Sequence, residues 1–322
     1  MFVKDITIGD TFQGEVFLLE KLNKEGDEGF LAVLSDKTGK MDALISRERF
    51  EERYMSFVGG AVKVNAIVLN GTDGKVLVKI RTMEIADRSE YKPSDLFDAL
   101  SEKKKEEYTA LLKDALGRIP DAGCRALCEA VLTDEVLSLL GEYPASVSYQ
   151  ASFRGGALAQ TATVTRMVLQ MGLSYQRQTN GLYGCTLEWS ILLSGALLHM
   201  VGVLDYFTDQ PWRRTPVGID RGYFSLLQSR IEAARVKSAV PLNDIKFARL
   251  INVLQVSQYR TILKASTHEG ILLRQAVLCF AELDQLDAAV AASDKMQFFD
   301  AKSRRHINTA PLEADEGKEH AA

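Results

Sequence analysis

Two periodicities divide the chain. From Ile8 to Ile85, β-branched and apolar residues recur in short runs broken by turn-forming clusters, which predicts strands over Thr11–Lys21, Phe30–Ser35, Met41–Ile45, Val62–Leu69 and Val76–Ile85. Asp36-Lys37-Thr38-Gly39 separates the second from the third, with Gly39 free to take a positive φ, and Asn70-Gly71-Thr72-Asp73-Gly74 joins the last two as a glycine-rich hairpin. Arg47 to Tyr54 reads as a short helix between the third and fourth strands. Tyr91-Lys92-Pro93-Ser94 then ends this region and caps a helix beginning near Asp95. Along that helix Leu96, Leu100, Tyr108, Leu111, Leu112, Ala115, Leu116 and Ile119 fall at helical spacing. Pro120-Asp121 and Thr133-Asp134 restart helices, Tyr143-Pro144-Ala145-Ser146 closes the segment, and only helices are expected from there to about Phe299. Lys302 to Ala322, polar and without an apolar period, reads as a disordered tail that holds His306 and His320.

Five strands with a helix after the third is the order of an OB barrel, whose open face commonly takes single strands or oligosaccharides. The fold class expected is α+β multidomain, a five-stranded OB-fold β-barrel over residues 1–88 followed by an all-α part. That part divides into a helical connector over 89–146, a helical domain over 147–301 and the tail over 302–322.

Composition narrows the function classes. A chain of 322 residues with 46% hydrophobic and 25% charged residues can bury two modest cores. The start, Met-Phe-Val-Lys-Asp-Ile-Thr, has no signal-peptide pattern, and the longest apolar run, Ile191 to Leu204, is short for a bilayer span, so a cytoplasmic protein without a membrane partner is expected. Four scattered cysteines, with Cys124 and Cys128 one helical turn apart, fit buried reduced thiols rather than a zinc knuckle or a disulfide framework. Net charge is −4, and residues 1–88 hold 13 Lys and Arg against 15 Asp and Glu. Any nucleic-acid contact must therefore come from a local surface. On the barrel, Phe17 and Phe30 fit either base stacking or the core, and Lys37, Lys40 and Arg81 fit either phosphate contacts or ordinary solvated charge.

Two segments carry the chemistry. Residues 155–161 read Gly-Gly-Ala-Leu-Ala-Gln-Thr, and residues 192–202 read Leu-Leu-Ser-Gly-Ala-Leu-Leu-His-Met-Val-Gly. They resemble two signatures of HD-type metal phosphohydrolases, in which the first ends in His-Thr and the second holds His-Asp followed by Gly-Lys. The order of barrel, helical connector, Pro-Ala segment, Gly-Gly segment and HD-like helices resembles the YhaM-type 3′-5′ exoribonucleases up to about residue 295. The HD-containing relaxases of conjugative elements are a second, weaker likeness. The Ser-Asp-Lys-Thr-Gly-Lys-Met stretch likewise resembles OB modules attached to nucleases and tRNA-binding proteins.

The resemblance implies metal ligands at Gln160, His199, Met200 and Asp284, the last within Ala-Glu-Leu-Asp-Gln-Leu-Asp-Ala. Thr267-His268-Glu269-Gly270 is similar to a Ser-His-His-Gly segment, Tyr149-Gln150 stands where a His-His pair is usual, and Val203 replaces the lysine. A neutral amide and a soft thioether are poor ligands for Mg²⁺ or Mn²⁺, which favour hard, charged oxygen. A lone mononuclear site for Zn²⁺ or Mn²⁺ built from His199, His268, Glu269 and Asp284 stays open if the fold gathers them. No phosphate loop, nucleophile elbow or His-Glu-x-x-His helix offers another centre, and Gly155-Gly156 and Gly181-Leu182-Tyr183-Gly184 read as turns or close helix contacts. The reading is a non-catalytic or catalytically impaired OB/HD-like protein, without a cofactor, that binds single-stranded RNA or DNA or a protein partner in an accessory role. An active YhaM-type exoribonuclease or phosphodiesterase using Mn, Mg or Zn, and a structural interaction module of a mobile element, are the alternatives.

Overall fold

The computed structural model describes residues 2–25, 29–70, 76–146, 150–179, 186–209, 212–258, 264–291, 297–300 and 305–308. The first unit is a closed barrel of β1 (Thr11–Glu25), β2 (Gly29–Asp36), β3 (Gly39–Ser46), β4 (Ala61–Asn70) and β5 (Val76–Ile85), in the order β1-β2-β3-β5-β4. Closure requires β1 to bend so that it can pair with β4 through its first half and β2 through its second. Two bulges supply the bend. At the first, Gly14 is the extra residue and takes φ +81°, a conformation open to glycine at little cost; at the second, Glu20 is the extra residue. β3 and β5 close the cylinder in parallel, with Ile45 opposite Ile80. Phe12, Phe17, Leu34, Ile45, Val64, Ile80 and Met83 fill the interior.

Several expectations are corrected. The helix foreseen between the third and fourth strands is two 3-10 turns, Arg47–Arg49 and Glu52–Phe57, because Phe50, Tyr54 and Phe57 turn inward to plug the end of the barrel. Gly39 does not take a positive φ. The Asp36 carboxylate instead shapes that hairpin, accepting hydrogen bonds from the Thr38 backbone N–H (2.7 Å) and hydroxyl (2.6 Å). Residues 71–74 of the last hairpin lie outside the described residues.

The helical part begins with the single turn α1 (Pro93–Leu96) rather than a long helix from Asp95. The long helix starts afresh as α2 (Glu102–Gly117), where the Ser101 hydroxyl accepts from the Lys104 N–H. Asp121 caps α3 (Ala122–Val131) and Thr133 caps α4 (Asp134–Leu140) in the same manner. Beyond them come α5 (Gly156–Thr179), α6 (Trp189–Leu198), α7 (Val203–Tyr206), α8 (Pro216–Lys237), α9 (Asp244–Gln258) and α10 (His268–Ala291). The connector is not a spacer: Leu112, Leu127 and Leu140 belong to the same continuous core as Val164, Leu197, Val253 and Leu273. Trp189–Tyr206 is apolar and long enough to cross a membrane by length and composition, and 78% of it is buried inside the fold.

Phe299 lies on a strand rather than at the end of a helix. β6 (Gln297–Asp300) pairs antiparallel with β7 (Arg305–Asn308), so part of the expected tail is a strand, and Ile307 is buried on it while His306 is exposed. Residues 309–322, including His320, lie outside the described residues.

Candidate functional site

α6 is apolar on every side and sits at the centre of the bundle, so whatever closes its C-terminal end is withdrawn from water. His199 is that closing residue and is fully buried. Its Nδ1–H donates to the Ala196 carbonyl at 2.7 Å, which fixes the tautomer and leaves the Nε2 lone pair pointing away from its own helix. The Gln160 side-chain amide, one turn into α5, meets that Nε2 at 3.4 Å. Burial depresses the imidazole pKa to about 4, so the ring is neutral near pH 7. The backbone carbonyl of His199 is held from the other side by the Tyr223 hydroxyl (2.7 Å) and the Gln258 amide (3.3 Å). Gln160 Oε1 is buried and finds no hydrogen-bond donor among the described residues.

The remaining implied ligands divide between two ends of the bundle. Gln160 joining His199 places the start of α5 against the end of α6. Asp284, late in α10, accepts from the Ala151 backbone N–H at 2.7 Å, just ahead of α5, and so belongs to the same end. It supports a strained turn: Ala151 has φ +44°, and a Cβ on Gly156 would collide with the Ala151 carbonyl. Met200 is only 5% exposed and packs into the apolar core.

His268 and Glu269 are at the far end. Glu269, completely buried, accepts from the Glu188 N–H at 2.8 Å where α6 begins, and pairs with Arg249 at 3.3 Å; His268 lies against the Tyr175 ring at 5.5 Å. At ~1.5 Å per helical residue, the length of α6 separates Glu269 from His199 by about 16 Å, and the length of α10 separates Glu269 from Asp284 by about 22 Å. The mononuclear set His199, His268, Glu269 and Asp284 is therefore not gathered. Among the described residues no group of three or more His, Cys, Asp or Glu side chains could hold an ion. One neutral imidazole, one amide, a thioether and a single carboxylate already engaged by the Ala151 N–H do not make the hard, charged oxygen set that Mg²⁺ or Mn²⁺ favours. Tyr149 and Gly181-Leu182-Tyr183-Gly184 lie outside the described residues. The thiols of Cys124 and Cys128 are pushed up to about 12, chiefly by burial, and offer no nucleophile near neutrality.

On the barrel the five expected residues do not share a face. Phe17 is entirely buried against Phe12, because its parity on β1 points it into the closed cylinder. Lys37 pairs with Asp95 at 3.3 Å and lies 4.8 Å from the centre of the Phe2 ring, while Lys40 pairs with Glu20 at 2.5 Å. Both sit at the β2–β3 hairpin, about 20 Å along β2 from Phe30 at ~3.3 Å per residue. Phe30 is half-buried and stacked on Phe50, centroids 3.5 Å apart and planes 9° apart. Phe30 pairs with Ile45 and Ile45 with Ile80, so Arg81, the extra residue of a bulge on β5, joins Phe30 at this end of the barrel. Arg47 and Arg49 are exposed on the adjoining turn. Sequence reasoning missed Phe50, Arg47 and Arg49, although Ser-Arg-Glu-Arg-Phe sits plainly after β3; reading the segment as a helix hid them.

A further pairing missed from sequence joins the barrel to the helices. Arg213, between α7 and α8, donates to the Ser56 (2.8 Å) and Phe57 (3.0 Å) carbonyls, and Trp212 packs on Phe97 with ring centres 4.6 Å apart. A side chain on Gly60 would run into the Arg213 guanidinium, so the glycine admits this contact.

No protein-family model matches this chain, and no curated protein matches it.

Proposed function

We propose that this chain is a binding protein built on an OB-like barrel and a degenerate HD-like helical body, without hydrolytic activity, and that the barrel end bearing Phe30 contacts single-stranded nucleic acid. The observation that carries the first half is the closed Gln160–His199 pair: a buried neutral imidazole spends its free nitrogen on an amide, with a methionine where a carboxylate would orient water. The HD-type resemblance supplies the comparison, and Asp284 engaged with Ala151 accounts for the last retained position as a structural support.

Support for the second half is local. Arg47, Arg49 and Arg81 are exposed around a phenylalanine pair of which Phe30 is partly open to solvent. Three cations, interleaved with Glu48, Glu51 and Glu52, suit weak and sequence-tolerant binding, with a dissociation constant on the order of micromolar at low salt. The test is the salt dependence of binding of a fluorescent oligo(U) or oligo(dT) to the full chain. Binding that weakens with salt and drops in the Arg47→Gln, Arg81→Gln double variant supports this reading, and unchanged binding in the variant removes it.

A protein partner is the second reading. Val236 is 88% exposed and Ile245 79% exposed, an uncommon pair of open apolar side chains at adjoining ends of α8 and α9.

A further inference from the structure

α8 does not run straight. Gly222 breaks it with φ +74° and ψ 161°, and a Cβ there would meet nothing within 4 Å, so close packing does not account for the glycine. The bend turns the first segment of α8 away from the axis of the second. In a straight helix Arg221 and Ser229 would be separated by about 12 Å of axial rise; here the Arg221 guanidinium donates to the Ser229 hydroxyl at 2.8 Å. An open groove of about 450 Å³ lies between the end of α7 and the two parts of α8.

Charged and apolar side chains both line this groove. Arg230 is held by two hydrogen bonds of 2.7 Å to Asp205, one to each carboxylate oxygen, which matches one positive charge with one negative. Arg221 is exposed and rests on a neutral hydroxyl, so among the described residues one positive charge in the groove has no carboxylate hydrogen-bonded to it. Beside it, Val217 is 53% exposed and Leu226 lines the wall, giving the groove an apolar side. Tyr223, the residue after the bend, carries its hydroxyl to the His199 carbonyl, which anchors the second segment of α8 to the end of α6.

The geometry points to a binding site for a small phosphate monoester on an apolar or aromatic body, with Arg221 and Ser229 at the phosphate and Val217 and Leu226 against the body. The site is independent of the barrel and of the reading given for His199. Its test is isothermal titration of the full chain with phenyl phosphate, alongside inorganic phosphate and phenol as separate probes. The expected result is saturable one-site binding of phenyl phosphate, at least roughly tenfold weaker binding of either half alone, and a loss of about tenfold in Arg221→Gln with its circular dichroism unchanged. Gly222→Ala, which penalises the left-handed bend, should weaken binding as well; if that variant does not fold, Arg221→Gln decides alone. A 5′-phosphorylated oligonucleotide that displaces phenyl phosphate, where its unphosphorylated twin does not, would identify a strand end as the source of the phosphate. Failure of that displacement would identify a free small molecule. Absence of saturable binding by phenyl phosphate, or equal affinity in Arg221→Gln, overturns the proposal.

Discussion

At the scale of single residues, His199 carries a measurable consequence of burial. Its pKa in the folded chain is about 4, below the ordinary value of 6.5, so the unfolded chain binds a proton that the folded chain refuses between those two values. Stability from this residue is thus fully present above pH 6.5 and is lost as pH falls toward 4. Between pH 7 and pH 5 the loss should be about 2 kcal/mol, read as a drop in urea-unfolding free energy. His199→Gln, which cannot titrate, should flatten that part of the pH profile; an unchanged slope would mean that another group causes it. Asp284 offers a second residue-scale check. Asp284→Ala should cost about 1–3 kcal/mol by leaving the Ala151 N–H unpaired in a strained turn, with no accompanying change in metal affinity. A selective loss of metal binding in that variant would restore Asp284 as a ligand.

At the scale of elements, burial separates two phenylalanines that look alike in sequence. Phe17→Ala should destabilise the chain by about 3–5 kcal/mol, since it empties a fully buried position, whereas Phe30→Ala should cost roughly half as much and retain the barrel's circular dichroism. Equal costs would contradict the assignment of only one of them to the sealed core. The barrel was legible because strands of alternating parity and turn clusters survive in sequence as local signals. The inward side of a closed cylinder is settled by pairing register, which sequence does not display, and this is why Phe17 could be read for the surface as well as the core. The segment after β3 misled for a related reason: its aromatic spacing suits a helix, but plugging the barrel with Phe50, Tyr54 and Phe57 favours two tighter turns. The β6–β7 hairpin was missed because its strands are four residues each and polar at most positions. The meeting of Gln160 with His199, distant in sequence, was legible only through the family resemblance. The separation of His268 and Glu269 from that end required helix directions that no motif encodes.

At the scale of the whole molecule, barrel and helices are joined by a definite seam rather than a free linker. Ala61 and Ala86 of the barrel side enter the same apolar core as Leu96, Phe97 and Trp212, and Arg213 clamps the carbonyls of Ser56 and Phe57. Arg213→Ala should remove two charge-assisted hydrogen bonds, cost about 2–4 kcal/mol, and broaden or split the thermal transition as the barrel melts apart from the helices. A single sharp transition at the original temperature would show that the seam does not depend on this clamp.

The proposal that matters most is that the end of the bundle where Gln160 meets the buried, neutral His199 holds no metal ion. The most direct measurement is calorimetric titration of the purified full chain with Mn²⁺ and with Zn²⁺, paired with incubation of labelled single-stranded RNA in the same buffers. The account predicts no stoichiometric metal site dependent on His199 and RNA of undiminished length. A one-to-one site that disappears in His199→Ala, together with metal-dependent shortening of the RNA from its 3′ end, would contradict it.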